Sequence, residues 1–257
     1  MTDSSQSKPE TLADKARRKF LATSAAITSM SLTSGLMLYT NLQAKTASEA
    51  TSSKVRWGLL IDANKCDSGC NDCTVACSET NGLSSEGHHA NAAQEVQWIR
   101  KVTVKDKQTK KETSLPIMCQ HCEHPPCVDV CPTTASFKRA DGVVLVDKHL
   151  CIGCRYCIMA CPYKARSFVH ETLSNQKPHA PRGKGTVESC TLCTHKIDQE
   201  GGKPACVEAC SKAGHNAMIF GDLNDPESEI SKRLATESST ALRPDLKLNP
   251  GVRYQGL

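Results

Sequence analysis

The sequence predicts an α+β protein with short elements and a core that is poor in aromatic side chains. Three observations lead to this prediction. Short strand-like segments recur along the chain, an Asp141-Gly142 pair gives a strong hairpin signal, and the 257 residues contain 16 cysteines but few Phe, Trp and Tyr. All cysteines lie between Cys66 and Cys210, where they reach about 11% of the residues, a density typical of chains held together by cross-links. Disulfides, zinc or iron–sulfur clusters are the candidates.

The charge balance argues against a nucleic-acid partner. The formal net charge is +5, and the basic residues concentrate only at 105–111. Stacking of bases on a protein surface needs aromatic side chains, which are sparse here. We therefore expect no nucleic acid among the partners.

Residues 1–53 are predicted to be an export signal and a linker. Arg17 and Arg18 precede Phe20 and Leu21, and an uncharged stretch rich in Ser and Thr follows. A positive segment ahead of a weakly apolar one is typical of a secretory signal, and the arginine pair resembles the twin-arginine signal. We expect export to the periplasm by the twin-arginine machinery. The alternatives are an ordinary amphipathic helix and an uncleaved signal that anchors the chain.

The cysteines form four groups, and every group ends in C-x3-C. Such an internal repeat indicates one structural unit used several times. Group three, followed by Pro162, is a complete C-x2-C-x2-C-x3-C-P run, which is typical of bacterial [4Fe–4S] proteins. Groups one, two and four each lengthen one gap. In chain order, the groups are Cys66, Cys70, Cys73 and Cys77; Cys119, Cys122, Cys127 and Cys131; Cys151, Cys154, Cys157 and Cys161; and Cys190, Cys193, Cys206 and Cys210.

The cysteine spacing also bears on the two alternatives to iron–sulfur clusters, which are disulfides and zinc. A disulfide framework suits an exported protein with an even number of cysteines, but it does not need four copies of one short spacing. A zinc site is usually built from two C-x2-C pairs, whereas the unit repeated here supplies three thiols plus one. The spacing therefore favours iron–sulfur clusters. The cations that flank the cysteines are Lys65, Arg155, Lys164 and Lys196. Two interpretations are open: their charge raises cluster potentials, or, as we expect for most of them, they are solvated surface residues.

Secondary structure is predicted to be short throughout. We expect a hairpin inserted between groups one and two, a second hairpin around Asp141-Gly142, and a short helix after the third cysteine of each group, for example at 157–161. The predicted strands are 55–62, 96–105, 112–118, 136–140, 143–147, 167–170 and 217–220.

The order of the groups resembles a known family. The four groups, the long gap in group four and the stretch 190–210 resemble the four-cluster ferredoxin subunits of membrane-bound oxidoreductases, including dimethyl sulfoxide, polysulfide and tetrathionate reductases. With the export signal and the pattern at 242–254, the chain is most similar to the periplasmic DsrO-type subunit of the transmembrane complex associated with sulfite reductase. The resemblance covers roughly 55–225 and implies nested bacterial ferredoxin-like units around four iron–sulfur clusters.

The resemblance also implies ligand sets in which the groups exchange their last cysteine. Groups two and three would form one pair of clusters, nested inside a pair formed by groups one and four. All clusters would be [4Fe–4S], with one [3Fe–4S] as the alternative. The implied sets are Cys66, Cys70, Cys73 and Cys210; Cys190, Cys193, Cys206 and Cys77; Cys119, Cys122, Cys127 and Cys161; and Cys151, Cys154, Cys157 and Cys131.

The expected function is electron transfer without catalysis by the chain alone, since no dinucleotide fingerprint, phosphate loop or triad spacing is present. By resemblance, the chain relays electrons between an integral-membrane quinone-interacting subunit and further redox subunits of a periplasmic respiratory complex in sulfur metabolism. The alternatives are the ferredoxin subunit of a molybdopterin-dependent reductase, and a secreted structural protein held by zinc or disulfides. The expected domains are 1–53, the four-cluster domain 54–223 with a hairpin insertion near 95–118, and an extended tail, 224–257.

Overall fold

The computed structural model describes residues 51–83, 95–173, 176–199 and 201–257. The predicted signal, with Arg17 and Arg18, lies outside these residues. Across the described ranges, no helix combines the length and the apolar character that crossing a bilayer requires.

The described residues form an α+β fold of short elements, as predicted. The strands are β1 (Trp57–Asp62), β2 (Ile99–Lys105), β3 (Glu112–Met118), β4 (Ser136–Lys138), β5 (Val144–Val146), β6 (Arg166–Phe168), β7 (Val187–Ser189), β8 (Met218–Asp222) and β9 (Val252–Gln255). The helices are α1 (Asp72–Asn81), α2 (Pro126–Asp129), α3 (Tyr156–Ala160), α4 (Thr194–Ile197), α5 (Ala205–Lys212) and α6 (Glu229–Thr236), with 3-10 turns at Ala63–Lys65 and Pro244–Leu246.

The central sheet has the strand order β8-β1-β9. Strand β8 runs antiparallel to β1, and β9 runs parallel to it. Leu59, Leu60 and Ile61 of β1 are fully buried, and a continuous apolar run of this kind is typical of a strand covered on both faces. The predicted strand at 55–62 is therefore confirmed as the middle strand of a sheet.

Within the described residues, three antiparallel strand pairs lie outside the central sheet. The insertion between groups one and two is confirmed as the antiparallel pair β2–β3, with Ile99 opposite Met118. The Asp141-Gly142 turn joins β4 to β5, and Gly142 has a φ of +87°, which glycine adopts without strain. Strand β6 pairs with β7, a three-residue strand that the sequence pattern did not predict.

The helices that carry cysteines pack in two pairs. Helix α1 contacts α5, and α2 contacts α3. Helix α1 ends at Gly82, a left-handed residue whose N–H donates to the carbonyl of Ser78, as is common at helix C-termini. The pairing brings group one beside group four and group two beside group three.

The segment 224–257 differs from the extended tail that was expected. It contains helix α6, which is capped by the Ser228 hydroxyl accepting from the N–H of Ser231, and strand β9. Ile230 and Tyr254 are completely buried. The prediction was wrong because β9 is stabilised by pairing with β1, which lies almost 200 residues earlier in the chain and leaves no local pattern.

Candidate functional site

All sixteen cysteines lie in the described residues, and none of them forms a disulfide. Each group begins in a loop and ends in or next to a helix, as the sequence predicted, although the helix begins at or before the third cysteine. The largest apolar cluster of the described residues takes eight of its twenty-five buried members from cysteine. Thiols therefore make up about a third of this core, beside a larger share of aliphatic side chains. The cysteines within helices are Cys73, Cys77, Cys127, Cys157, Cys206 and Cys210.

Backbone turns in the loop of group three bring its thiols together. Gly153 has a φ of +72°, and Arg155 has a φ of +65° just before α3. A Cβ added to Gly153 would lie only 2.2 Å from the carbonyl oxygen of Gly185. Glycine is required here by both conformation and space.

Three small cavities are each lined by four thiols. In each cavity, three thiols belong to one group and the fourth is the last cysteine of another group. The first cavity is lined by Cys66, Cys70, Cys73 and Cys210; the second by Cys119, Cys122, Cys127 and Cys161; and the third by Cys151, Cys154, Cys157 and Cys131.

The remaining four thiols, those of Cys77, Cys190, Cys193 and Cys206, are buried. Burial, together with the neighbouring thiols of Cys190 and Cys193, raises the pKa of Cys77 well above its ordinary value. The amide of Asn81 donates to the Cys77 sulfur at 3.7 Å. These thiols therefore lie within electrostatic range of one another.

Backbone N–H groups point at the sulfur atoms. The N–H of Ser136 donates to Cys131 at 3.3 Å, and that of Ala217 donates to Cys210 at 3.3 Å. Similar bonds reach Cys161, Cys151 and Cys190 at 3.4–3.5 Å, from the N–H groups of Ala165, Val187 and Leu192. A donor directed at sulfur stabilises the thiolate and delocalises its charge.

Burial opposes ionisation of the same thiols. Burial, with help from the thiols of Cys66 and Cys70, raises the pKa of Cys73 to about 12, and burial raises the pKa of Cys119 to about 12. Four buried thiols in one cavity can ionise together only beside a compensating positive charge, which a bound metal supplies. The thiol sets therefore fit metal centres, and by donor type alone they fit zinc and iron–sulfur clusters equally.

Cations line each cavity, and sequence reasoning missed the two most closely placed. Lys101 lines the first cavity and donates to the carbonyls of Asp67 and Cys70. Arg166 lines the second cavity and is only 6% exposed. Neither residue is adjacent to a cysteine in sequence, so the residues that flank the cysteines include neither of them. A charged residue at the start of a strand five positions after a group was the available signal for Arg166.

Three of the four flanking cations have partners of their own, and Arg155 also lines the third cavity. Lys65 lies 3.7 Å from the carboxylate of Asp62, and Lys196 forms an ion pair with Glu208. Arg155 lies 3.9 Å from the ring centroid of Phe168, in cation–π geometry.

The fold and the thiol sets together define a protein with several metal centres. Residues 111–223 match the family model for a 4Fe–4S dicluster domain. The chain therefore binds multiple 4Fe–4S clusters, and the zinc and disulfide alternatives are set aside.

The similarity of the chain to curated relatives identifies its family. The chain is 40% identical to the Hdr-like menaquinol oxidoreductase iron–sulfur subunit 1 of Archaeoglobus fulgidus, over 94% of this chain and 98% of the relative. It is 38% identical to a subunit of the tetrathionate reductase of Salmonella typhimurium, over 80% and 74%, and 38% identical to the protein NrfC of Escherichia coli, over 85% of each. The chain belongs to the family of 4Fe–4S subunits of multi-subunit oxidoreductases, and it is a redox subunit that is not catalytic alone.

Proposed function

We propose that this chain relays electrons between a membrane subunit and further redox subunits of a respiratory complex, through four iron–sulfur clusters. The observation that carries the proposal is the composition of the cavities, since three of them each combine three thiols of one group with the last thiol of another. When bound, iron–sulfur clusters supply one-electron redox chemistry. The protein's part is to hold them, exclude water from them and set their potentials.

The proposed ligand sets follow the cavities and the remaining buried thiols. Each set would hold one [4Fe–4S] cluster, with a [3Fe–4S] cluster in one position as the alternative. The sets are Cys66, Cys70, Cys73 and Cys210; Cys190, Cys193, Cys206 and Cys77; Cys119, Cys122, Cys127 and Cys161; and Cys151, Cys154, Cys157 and Cys131.

Iron analysis and paired cysteine variants test these sets. The purified holoprotein should contain about 16 iron atoms per chain, and a chain without iron would contradict the proposal. Cys161→Ser and Cys119→Ser should alter the same electron paramagnetic resonance signal, and the double variant should alter no further signal. Cys161→Ser combined with Cys151→Ser should alter two signals. The opposite result, with Cys161 and Cys151 sharing one signal, would show that the groups do not exchange ligands.

The surface around group three supports a membrane partner. Ile152 and Met159 are 68% and 72% exposed, and Leu150 and Tyr156 are also exposed. The thiol of Cys154, which lines the third cavity, is exposed as well. Exposed apolar side chains close to a redox centre suit a stable contact with another subunit. We assign this surface to the integral-membrane quinone-interacting subunit.

Lysine substitutions test that contact in membranes of the native host. Ile152→Lys and Met159→Lys should release the chain from the membrane fraction, because a buried lysine in the contact is unpaired. Val104→Lys is the matched control, since Val104 is equally apolar and half exposed on β2. Release by all three variants, or by none, would contradict the assignment.

Placement in the periplasm is proposed from the arginine pair at the N-terminus. Changing Arg17 and Arg18 to lysine should leave the chain in the cytoplasm. The control Lys19→Gln should be exported at the normal level. Fractionation of cells followed by immunoblotting measures the outcome. Export of the arginine-pair variant at the normal level would contradict the twin-arginine route.

The metabolic setting is proposed to be dissimilatory sulfur metabolism, in a DsrO-type subunit. The alternative is the ferredoxin subunit of a molybdopterin-dependent reductase, which the similarity to the tetrathionate reductase subunit favours. Purification of the intact complex separates the two. A multi-span quinol subunit associated with sulfite reductase supports the first, and a molybdopterin subunit supports the second.

A further inference from the structure

Arg166 is a buried cation at the start of β6, beside the second cavity. Its Nη2 donates to the sulfur of Cys127 at 3.0 Å and to the hydroxyl of Ser136 at 2.8 Å. Both partners are themselves buried. The guanidinium is thus fixed against one thiol of the cavity by two hydrogen bonds.

Among the described residues, the other terminal nitrogen of Arg166 has no hydrogen-bond partner. Nη1 is buried and unpaired, although a guanidinium carries five N–H donors. A buried donor without an acceptor costs free energy, so native proteins rarely leave one in place without a reason. Because Arg166 lines the second cavity with Cys119, Cys122 and Cys127, a cluster bound there would bring sulfur acceptors to this side chain.

The charge of Arg166 is also uncompensated by acids. Among the described residues, Arg166 forms no salt bridge, whereas the buried Arg182 pairs with Glu188 and Lys196 pairs with Glu208. The groups that act most strongly on Arg166 are thiols. Cys119 and Cys127 belong to the second cavity, and Cys157 belongs to the third. Ser136, whose hydroxyl accepts from Arg166 at 2.8 Å, also lines the third cavity, so the guanidinium lies beside both.

We propose that Arg166 sets the reduction potentials of the two clusters held by groups two and three, by placing one fixed positive charge beside both. This inference rests on the proposed ligand sets. Reduction adds a negative charge to a cluster, and a nearby cation in a low-dielectric interior stabilises that charge. Arg166 therefore raises both potentials together and makes the two clusters easier to reduce.

The test replaces the charge and measures potentials. In Arg166→Gln holoprotein, redox titration followed by electron paramagnetic resonance should show two clusters that are harder to reduce by at least tenfold in equilibrium constant. For a one-electron couple, tenfold corresponds to about 59 mV. Arg166→Lys keeps the charge and should stay close to wild type. The cysteine variants of groups two and three identify which signals belong to these clusters.

The control is Lys105→Gln, which removes an exposed cation paired with Glu112 and should shift no potential. Unchanged potentials in iron-replete Arg166→Gln would overturn the inference, as would equal shifts in all four clusters. Iron loss from both neutral variants, Arg166→Gln and Arg166→Met, would also overturn it, because Arg166 would then be structural. A wild-type chain without iron would instead overturn the proposed function.

Discussion

A single glycine controls the shape of the group-three loop. Gly153 occupies a left-handed conformation against the carbonyl of Gly185, and this turn directs the thiols of Cys151 and Cys154 into the same cavity. Because the requirement is local, a substitution that adds a single methyl group at this position tests it.

Gly153→Ala should destabilise the protein by about 2–5 kcal/mol, because the added Cβ combines a left-handed penalty with overpacking. Iron bound by group three should fall in parallel. Gly185→Ala is the matched control, since Gly185 has a similar φ of +84° but open space around its added Cβ. Its cost should be about 1–2 kcal/mol. Thermal melts measure both variants, and equal losses would show that the close approach to Gly185 is unimportant.

Among the elements, β7 is held by a buried ion pair. Glu188 of β7 is fully buried and accepts from Arg182 at 3.1 Å and from the indole N–H of Trp98 at 3.2 Å. Arg182 also donates to the carbonyl of Gly82 at the end of α1. One polar network thereby joins β7, the end of α1 and the segment before β2.

Arg182→Leu should lower the free energy of unfolding by about 3–5 kcal/mol, because it leaves the Glu188 carboxylate buried without its cation. Adding Glu188→Gln should recover part of the loss, since the remaining group is then neutral. Denaturant titration measures the free energies. Arg243→Leu, at an exposed pair with Asp245, should change little, and a similar loss there would argue against burial as the cause.

At the level of the whole molecule, the C-terminal segment closes the fold. Strand β9 completes the central sheet beside β1. The N–H of Gly251 donates to the carbonyl of Gln120, and the N–H of Glu123 donates to the carbonyl of Leu248. The hydroxyl of buried Tyr254 donates to the carbonyl of Pro116. The last residues therefore connect β1, β3 and the loop of group two.

Removal of residues 249–257 should expose the loop of group two and lower the melting temperature substantially, because a buried strand and its ladder are lost. Iron loss should begin at group two. Deletion of Leu257 alone, which is exposed, is the control and should leave the melt unchanged. A truncated chain that keeps its iron and its melting temperature would show that β9 is dispensable.

Iron removal should unfold much of the described fold. The largest apolar cluster of the described residues includes eight cysteines, and once the iron is removed nothing cross-links the thiols that line the cavities. Binding of a metal is then coupled to folding. Chelation under reducing conditions should abolish a cooperative melt in circular dichroism. An unchanged melt after complete iron loss would contradict this coupling.

Local spacing predicted most of the site because cluster loops are local structures. The run from Cys151 to Pro162 predicts iron–sulfur ligands from its spacing alone, and Asp141-Gly142 predicts the β4–β5 hairpin. Both features depend only on residues that are close together in the sequence. Strands β7 and β9 and the cation Arg166 were missed. Each of them depends on a partner that is distant in the sequence, so a short segment of sequence does not predict it.

The sequence by itself determined the number of thiols, their grouping and the metal chemistry that the groups favour, because spacing along the backbone limits which sulfur atoms can converge. Only the tertiary structure decided which thiols share a cavity, and which charge lies against them. The packing of α1 on α5 and of α2 on α3 brings the last cysteine of one group beside another group. Strand β6 buries Arg166 between two of these sets, where low dielectric gives one charge a large effect.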